Sequence, residues 1–275
     1  SALHNTEQKK QERKLMLEGK KPKGCQYCWN VEALGDEYVS DRHERNASIH
    51  REDRVKEILK NGYDHHINPE YIEISFGNEC QFKCGYCHPK ASSSYWKEIE
   101  KFGPYDMVKN HRLDIDWINL FKREEENPYV KAWWEWWPEV RRTLSILRIT
   151  GGEPLLQRST WDLFKNISEY PLPELEINTN SNLGMSNRIV KRLSRYVKEF
   201  EEENKIKRFK LCVLCNVNQY RSRPATACNI KCFGHHLRNF FSSSLYGSPS
   251  WSCSTWTASL DALTPLICSL AKFLN

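Results

Sequence analysis

Cys80-Gln81-Phe82-Lys83-Cys84-Gly85-Tyr86-Cys87 puts three cysteines within eight residues, spaced C-x3-C-x2-C. Just upstream, in residues 71–76, Ile72, Ile74 and Phe76 alternate with Glu73 and Ser75. Alternation with period two predicts a strand with one apolar and one polar face. The cysteines are therefore expected in a loop at that strand's carboxyl end. An iron–sulfur cube is normally held by four thiolates. A loop offering three leaves one iron open to another ligand. The rival metal is zinc, which prefers four ligands in paired knuckles. An x3 spacing is unusual for a knuckle, no neighbouring CxxC fits, and His88 is awkwardly close to Cys87 for a fourth ligand. Iron–sulfur chemistry is favoured; a non-catalytic zinc-binding interaction protein is the alternative.

Further strands follow the loop. Residues 144–150 read as a strand leading into Gly151-Gly152-Glu153-Pro154. After Pro171 and Pro173 break the chain, Leu175, Ile177 and Thr179 alternate with Glu176, Asn178 and Asn180, and the run continues to Asn182. Residues 209–214 read as a fourth strand. Helices are expected between them: one from Ser92–Ser94 towards Lys101, and one to about Ser168, for which Ser159-Thr160-Trp161-Asp162 has capping-box spacing. Another is capped by Ser186, with Ile189, Val190, Leu193, Tyr196, Val197 and Phe200 as its apolar stripe. Strand–helix alternation implies an α/β fold with a parallel sheet and right-handed crossovers. Each strand's polar parity ends in a candidate functional residue, which suits a wet barrel interior with chemistry at the carboxyl ends. In the insertion 103–141, Val130, Trp133, Trp134, Trp137 and Val140 share one helical face, and Pro138 should end or kink that helix. The stripe reads as packing against the barrel.

Three motifs, in this order over residues 71 to about 210, resemble those of the radical S-adenosylmethionine superfamily. They are the cysteine loop with Tyr86 in the aromatic position before Cys87, the Gly151-Gly152-Glu153-Pro154 turn, and the 176–182 run. The resemblance implies a partial (β/α)6 barrel, of which six full units are not found here. It implies that Cys80, Cys84 and Cys87 hold a 4Fe–4S cluster whose fourth iron is chelated by S-adenosylmethionine. An electron from the cluster would split the sulfonium to methionine and a 5′-deoxyadenosyl radical, which takes hydrogen from a substrate, a peptide being one reading. The backbone at Gly151, Gly152, Glu153 and Pro154 would meet the cofactor's amino group, with charge from Glu153. Asn178, Asn180 and Asn182 would be ribose or carboxylate partners, Asn180 the strongest candidate; turn chemistry is the plain reading for each. Arg148 could reach a carboxylate or make a structural salt bridge. A reducing partner such as flavodoxin or ferredoxin is implied.

Cys25 and Cys28 are a lone CxxC after a Lys-Pro-Lys-Gly turn. Their surroundings resemble the end of a half-motif in twitch- or SPASM-type radical proteins of unknown substrate, where cysteines outside the barrel hold an auxiliary cluster. Such a cluster needs about four thiolates, and only two precede residue 80. The chain opens on Ser1, which reads as processing or a fragment, with upstream ligands lost. The expected organisation is a remnant of that segment over 1–50, a radical core over 68–215, and an atypical tail over 216–275. The tail holds ten serines, four cysteines and no glutamate, and reads as out of frame or as a divergent, disordered extension. Cys212 and Cys215, at the join, are discounted. Asp64-His65-His66 reads as a surface turn, residues 7–20 as a weakly helical charged segment and 51–60 as a short surface helix.

Composition narrows the classes. Eleven cysteines could mean disulfides, but they cluster in short loops of a lysine- and glutamate-rich chain with no secretory signal, which points to metal ligation in a reducing cytoplasm. The formal charge of +6 resolves into 36 basic against 34 acidic residues over 1–215, and five against one in the tail. A nucleic-acid partner needs a clustered basic face, and the body offers only interspersed charges. No apolar run is long enough to cross a bilayer.

Overall fold

The computed structural model describes residues 4–44, 52–84, 87–103 and 127–213. Tyr86, Cys215 and the tail over 216–275 lie outside them. Helices described ahead of the sheet include α1 (Glu7–Leu17), α2 (Gln26–Glu32) and α3 (Glu52–Asn61). Four strands follow, β1 (Tyr71–Ser75), β2 (Ile146–Thr150), β3 (Leu172–Ser181) and β4 (Ile206–Val213), side by side in chain order with every neighbouring pair parallel. Parallel neighbours need long crossovers. These are supplied by α4 (Ser93–Phe102) and α5 (Pro128–Val140) between β1 and β2, α6 (Arg158–Glu169) between β2 and β3, and α7 (Asn187–Glu202) between β3 and β4. The result is the expected α/β architecture, a run of consecutive parallel β/α units consistent with a partial barrel. All four strands end at the same edge, and the loops after β1, β2 and β3 meet there.

The apolar parity of the strands faces the helices. Leu147, Ile149, Leu175 and Ile177 are buried against Leu163, Phe164 and Ile167 of α6 and Leu193, Val197 and Phe200 of α7. Phe164 is the hub, with its ring 5.9 Å from those of Tyr196, Phe200 and Phe209. The tryptophan helix α5 docks on the same core: Trp133 lies 6.1 Å from Phe76 and 5.2 Å from Trp137, and the Trp137 indole N–H donates to Asn166 Oδ1 at 2.7 Å.

Four local expectations are corrected. The helix does not end at Pro138 but runs on to Val140, because a proline so near the end deletes only the bond to the Trp134 carbonyl while Trp137 and Val140 stay buried. Trp136 is buried, and Trp134 is only partly so, since Trp136 turns its N–H to Asn68 at the bundle's margin. The helix α6 starts at Arg158, so Ser159 and Thr160 lie buried inside its first turn and form no capping box. Pro173 lies within β3 rather than before it; the β3–β4 pairing slips between Leu172 and Glu176, and an irregularity tolerates a residue without an N–H.

The amino-terminal segment is tied on ahead of β1. Asn5 donates to Ile67 O at 2.9 Å and accepts from Ile67 N at 3.1 Å, Arg13 donates to His65 O at 3.1 Å, and Lys10 pairs with Asp64 at 2.6 Å. Within it, Arg42 stacks 4.3 Å over the ring of Trp29 and forks onto Glu32 at 3.0 and 2.7 Å, with Ser40 donating to the same carboxylate at 2.6 Å. No described helix is long and apolar enough to cross a membrane.

Two measurements check this packing. Trp133→Ala removes a ring that is 2 % exposed and should lower unfolding free energy by about 3–5 kcal/mol in urea titration; a loss near zero would mean α5 is not docked. The Arg42 fork and the Ser40 hydroxyl hold the Glu32 carboxyl at about 2 against an ordinary 4.5. A depressed carboxylate stabilises above its ordinary pKa and loses that contribution as pH falls through its folded value. A carbon-13 carboxyl titration should therefore place the Glu32 midpoint near 2; a midpoint at 4.5 would show that the fork is not made.

Candidate functional site

The cysteine loop leaves the carboxyl end of β1 and is held by the first turn of α4. Ser93 N donates to Asn78 O at 2.8 Å, Ser93 Oγ accepts from Cys80 N at 3.1 Å, and the Ser94 hydroxyl donates to Cys80 O at 2.7 Å. Further along, Ser92 donates to Phe82 O at 2.6 Å and Tyr95 to Cys84 O at 2.9 Å. These four side chains fix the loop backbone. Sequence reading placed a helix start at Ser92–Ser94 but missed this grip; three serines and a tyrosine directly after a cysteine loop were the available signal. Lys83 pairs with Glu98 of α4 on the outside.

Cys80 and Cys84 are buried, Cys87 is half-buried, and all three thiols are free of disulfides. Burial pushes the Cys80 and Cys87 thiols up, and the neighbouring Cys84 adds to this for both. Ligation of a metal would release those protons. The donor set fits an iron–sulfur group by its chemistry, three soft sulfur ligands from one loop. Among the described residues no three His, Cys, Asp or Glu side chains already converge to metal-ligand geometry.

The turn after β2 packs against this loop backbone to backbone. Gly152 N donates to Gly77 O at 3.2 Å and Glu153 N to Glu79 O at 2.7 Å. A Cβ on Gly151, whose φ is 110°, would sit 2.7 Å from Gly77 O, and one on Gly152 would sit 2.7 Å from the carbonyl carbon of Asn78. The two glycines let one chain segment approach another. With those N–H groups engaged, the acceptors this turn can present to an amino group are carbonyl oxygens. Pro154 is buried at the start of a short 3-10 turn. Glu153 is 1 % exposed, and burial raises its carboxyl pKa. Its oxygens accept from Leu155 N at 3.2 Å, the Ser181 hydroxyl at 2.8 Å and Asn182 N at 2.7 Å. Its carboxylate thus brackets the β2 turn to the end of β3.

The polar parity forms rows across the sheet's other face. Glu73, Arg148, Asn178 and Lys210 are register neighbours. Arg148 pairs with Glu73 at 3.5 Å, and Lys210 with Glu176 at 2.6 Å. Asn178 donates to Glu176 at 3.2 Å, while its buried Oδ1 has no partner among the described residues. Asn180 lies half-buried one row nearer the carboxyl edge, beside Cys212. Asn182 lies beyond the strand, against the cysteine loop. The three asparagines therefore occupy three levels. Cys25 and Cys28 are half-buried free thiols at the start of α2. The segment that carries them is anchored to residues 64–67, ahead of β1, while the 80–87 loop follows β1.

The chain is 32 % identical over 127 residues to a GTP 3′,8-cyclase of Campylobacter jejuni subsp. doylei, covering 46 % of this chain and 31 % of that protein. It is 26 % identical over 147 residues to one of Peptoclostridium acidaminophilum, covering 53 % and 34 %. The homology supports a radical S-adenosylmethionine core. The chain spans about a third of the length of these curated relatives. No family model matches it, and no solved structure is significantly similar.

Gly152→Ala should push Asn78 and Glu79 out of place and cost about 1–3 kcal/mol, the usual size of forced overpacking. Urea titration measures it; a change below the error of the fit would mean that the two backbones are not in contact.

Proposed function

We propose that this chain is a radical S-adenosylmethionine enzyme, with Cys80, Cys84 and Cys87 as the thiolate ligands of a 4Fe–4S cluster. The observation that supports it most is the placement of three free, shielded thiols on a backbone-pinned loop directly against the Gly151-Gly152 turn, in a segment homologous to known cyclases. When bound, the cluster and S-adenosylmethionine supply one-electron cleavage of the sulfonium and a 5′-deoxyadenosyl radical for hydrogen abstraction.

The protein's own contribution is orientation and exclusion of water. Carbonyl oxygens at Gly151 and Gly152 accept from the cofactor's amino group. Glu153 and Pro154 hold that turn in shape. By its position in the sequence, next to Cys87, Tyr86 belongs to the cofactor-binding set in this reading. Asn178 and Asn180, at successive levels of the polar face, bind ribose or carboxylate, with Arg148 as a cation in the same row. The relatives' name specifies GTP, but the shared stretch is about a third of their length and its residues serve the cofactor. The hydrogen donor in our reading is a peptide, the electron donor a flavodoxin or ferredoxin, and the setting the cytoplasm. Cys25 and Cys28 belong in this reading to a second cluster completed by further thiolates.

Anaerobic reconstitution tests the proposal. The protein should take up about four irons per cluster and release methionine and 5′-deoxyadenosine from S-adenosylmethionine. Cys84→Ala should lose both. A colourless protein that retains zinc, or undiminished cleavage by the variant, would overturn the assignment. Deuterium transfer from a labelled candidate peptide into 5′-deoxyadenosine identifies the substrate.

A further inference from the structure

We propose that Asn182 is a positioning residue whose side-chain amide donates to the sulfur of Cys80 and raises the reduction potential of the cluster held there. The inference rests on the cluster reading above and deepens it.

Asn182 lies one residue beyond β3 and is fixed from several sides. Its backbone N–H donates to Glu153 Oε2 at 2.7 Å. Its Oδ1 accepts from Gln81 Nε2 and from Gly184 N, both at 2.8 Å. Two donors on that oxygen determine which way the amide is turned, and leave Nδ2 as the end that faces Cys80 Sγ, 3.8 Å away. The turn that presents it is strained. Leu183 has φ 50°, a left-handed conformation uncommon for a bulky side chain, and its N–H is taken by Ser181 Oγ at 3.0 Å. Strain of this kind persists where surrounding contacts over-determine it; here the buried Glu153 carboxylate binds both Ser181 and Asn182.

Cys80 Sγ also accepts from Phe82 N at 3.5 Å. Among the described residues it is the one sulfur of the three that accepts hydrogen bonds, one from its own loop and one across the site from the turn after β3. N–H donors to cluster sulfurs favour the more negative, reduced state and so raise the potential. Removing a donor should lower it.

Potentiometric titration of the reconstituted protein, followed by electron paramagnetic resonance, provides the test. At the poise where wild-type clusters are half reduced, Asn182→Ala should show a reduced-to-oxidised ratio about threefold to tenfold lower, tenfold being about 59 mV for a one-electron couple. Asn182→Asp keeps the Oδ1 acceptor for Gly184 and lacks the donor, and should shift the same way. Wild-type protein labelled with nitrogen-15 asparagine should show hyperfine coupling from one side-chain amide to the reduced cluster, which decides the matter if neither variant assembles. Normal iron content with unchanged potentials, or no such coupling, overturns the role of Asn182 and leaves the cluster reading standing. Wild-type protein that takes up no cluster overturns both.

Discussion

Two polypeptide segments touch backbone to backbone at the carboxyl edge of the sheet, and the arrangement of the site depends on that contact. Gly77 and Glu79, leaving β1, accept hydrogen bonds from Gly152 and Glu153, leaving β2. Side chains at Gly151 or Gly152 would force the two apart. The contact fixes where the cysteine loop begins, because Cys80 follows Glu79 directly. It also places Glu153 so that its carboxylate reaches the end of β3. Loops from three successive strands are thereby locked to one another within a few residues of the thiols.

The sheet below has two faces with different purposes. One is filled by leucine, isoleucine and aromatic side chains from α5, α6 and α7, and supplies the bulk of the buried apolar area. The other carries rows of charged and amide side chains, paired across neighbouring strands where opposite charges meet. That polar face runs up to the carboxyl edge where the cysteines sit, an arrangement consistent with a partial barrel.

Much of the fold was legible in residue order. Period-two alternation marked β1 and β3, the runs at 144–150 and 209–214 read as strands, and the stripe of Ile189, Val190, Leu193, Tyr196, Val197 and Phe200 marked α7. The misjudgements share a cause. Pro138, Pro173 and the Ser159 capping signal are local rules, and each yielded to a contact from distant chain: buried tryptophans, a slipped strand pairing, and Gln157 donating to Gly77 O at 2.9 Å. The candidate site was legible as donor types. Its wiring was not. Glu153 reads in sequence as a charge beside a cofactor, yet its carboxylate is enclosed by Leu155, Ser181 and Asn182. Nothing in residue spacing links position 153 to positions 181 and 182.

By itself, the order of residues determined the alternation of strands and helices, the parallel pairing that alternation entails, and a trio of sulfur donors at a strand's end. These follow from periodicity and chemistry over stretches of about ten residues. Tertiary structure alone decided which backbone the glycines accommodate, which of the three asparagines reaches a sulfur, and that Cys25 and Cys28 lie with the segment anchored ahead of β1. Hydrogen bonds and close contacts between residues scores of positions apart depend on how the crossovers fold back, and that geometry is set by packing of the whole core.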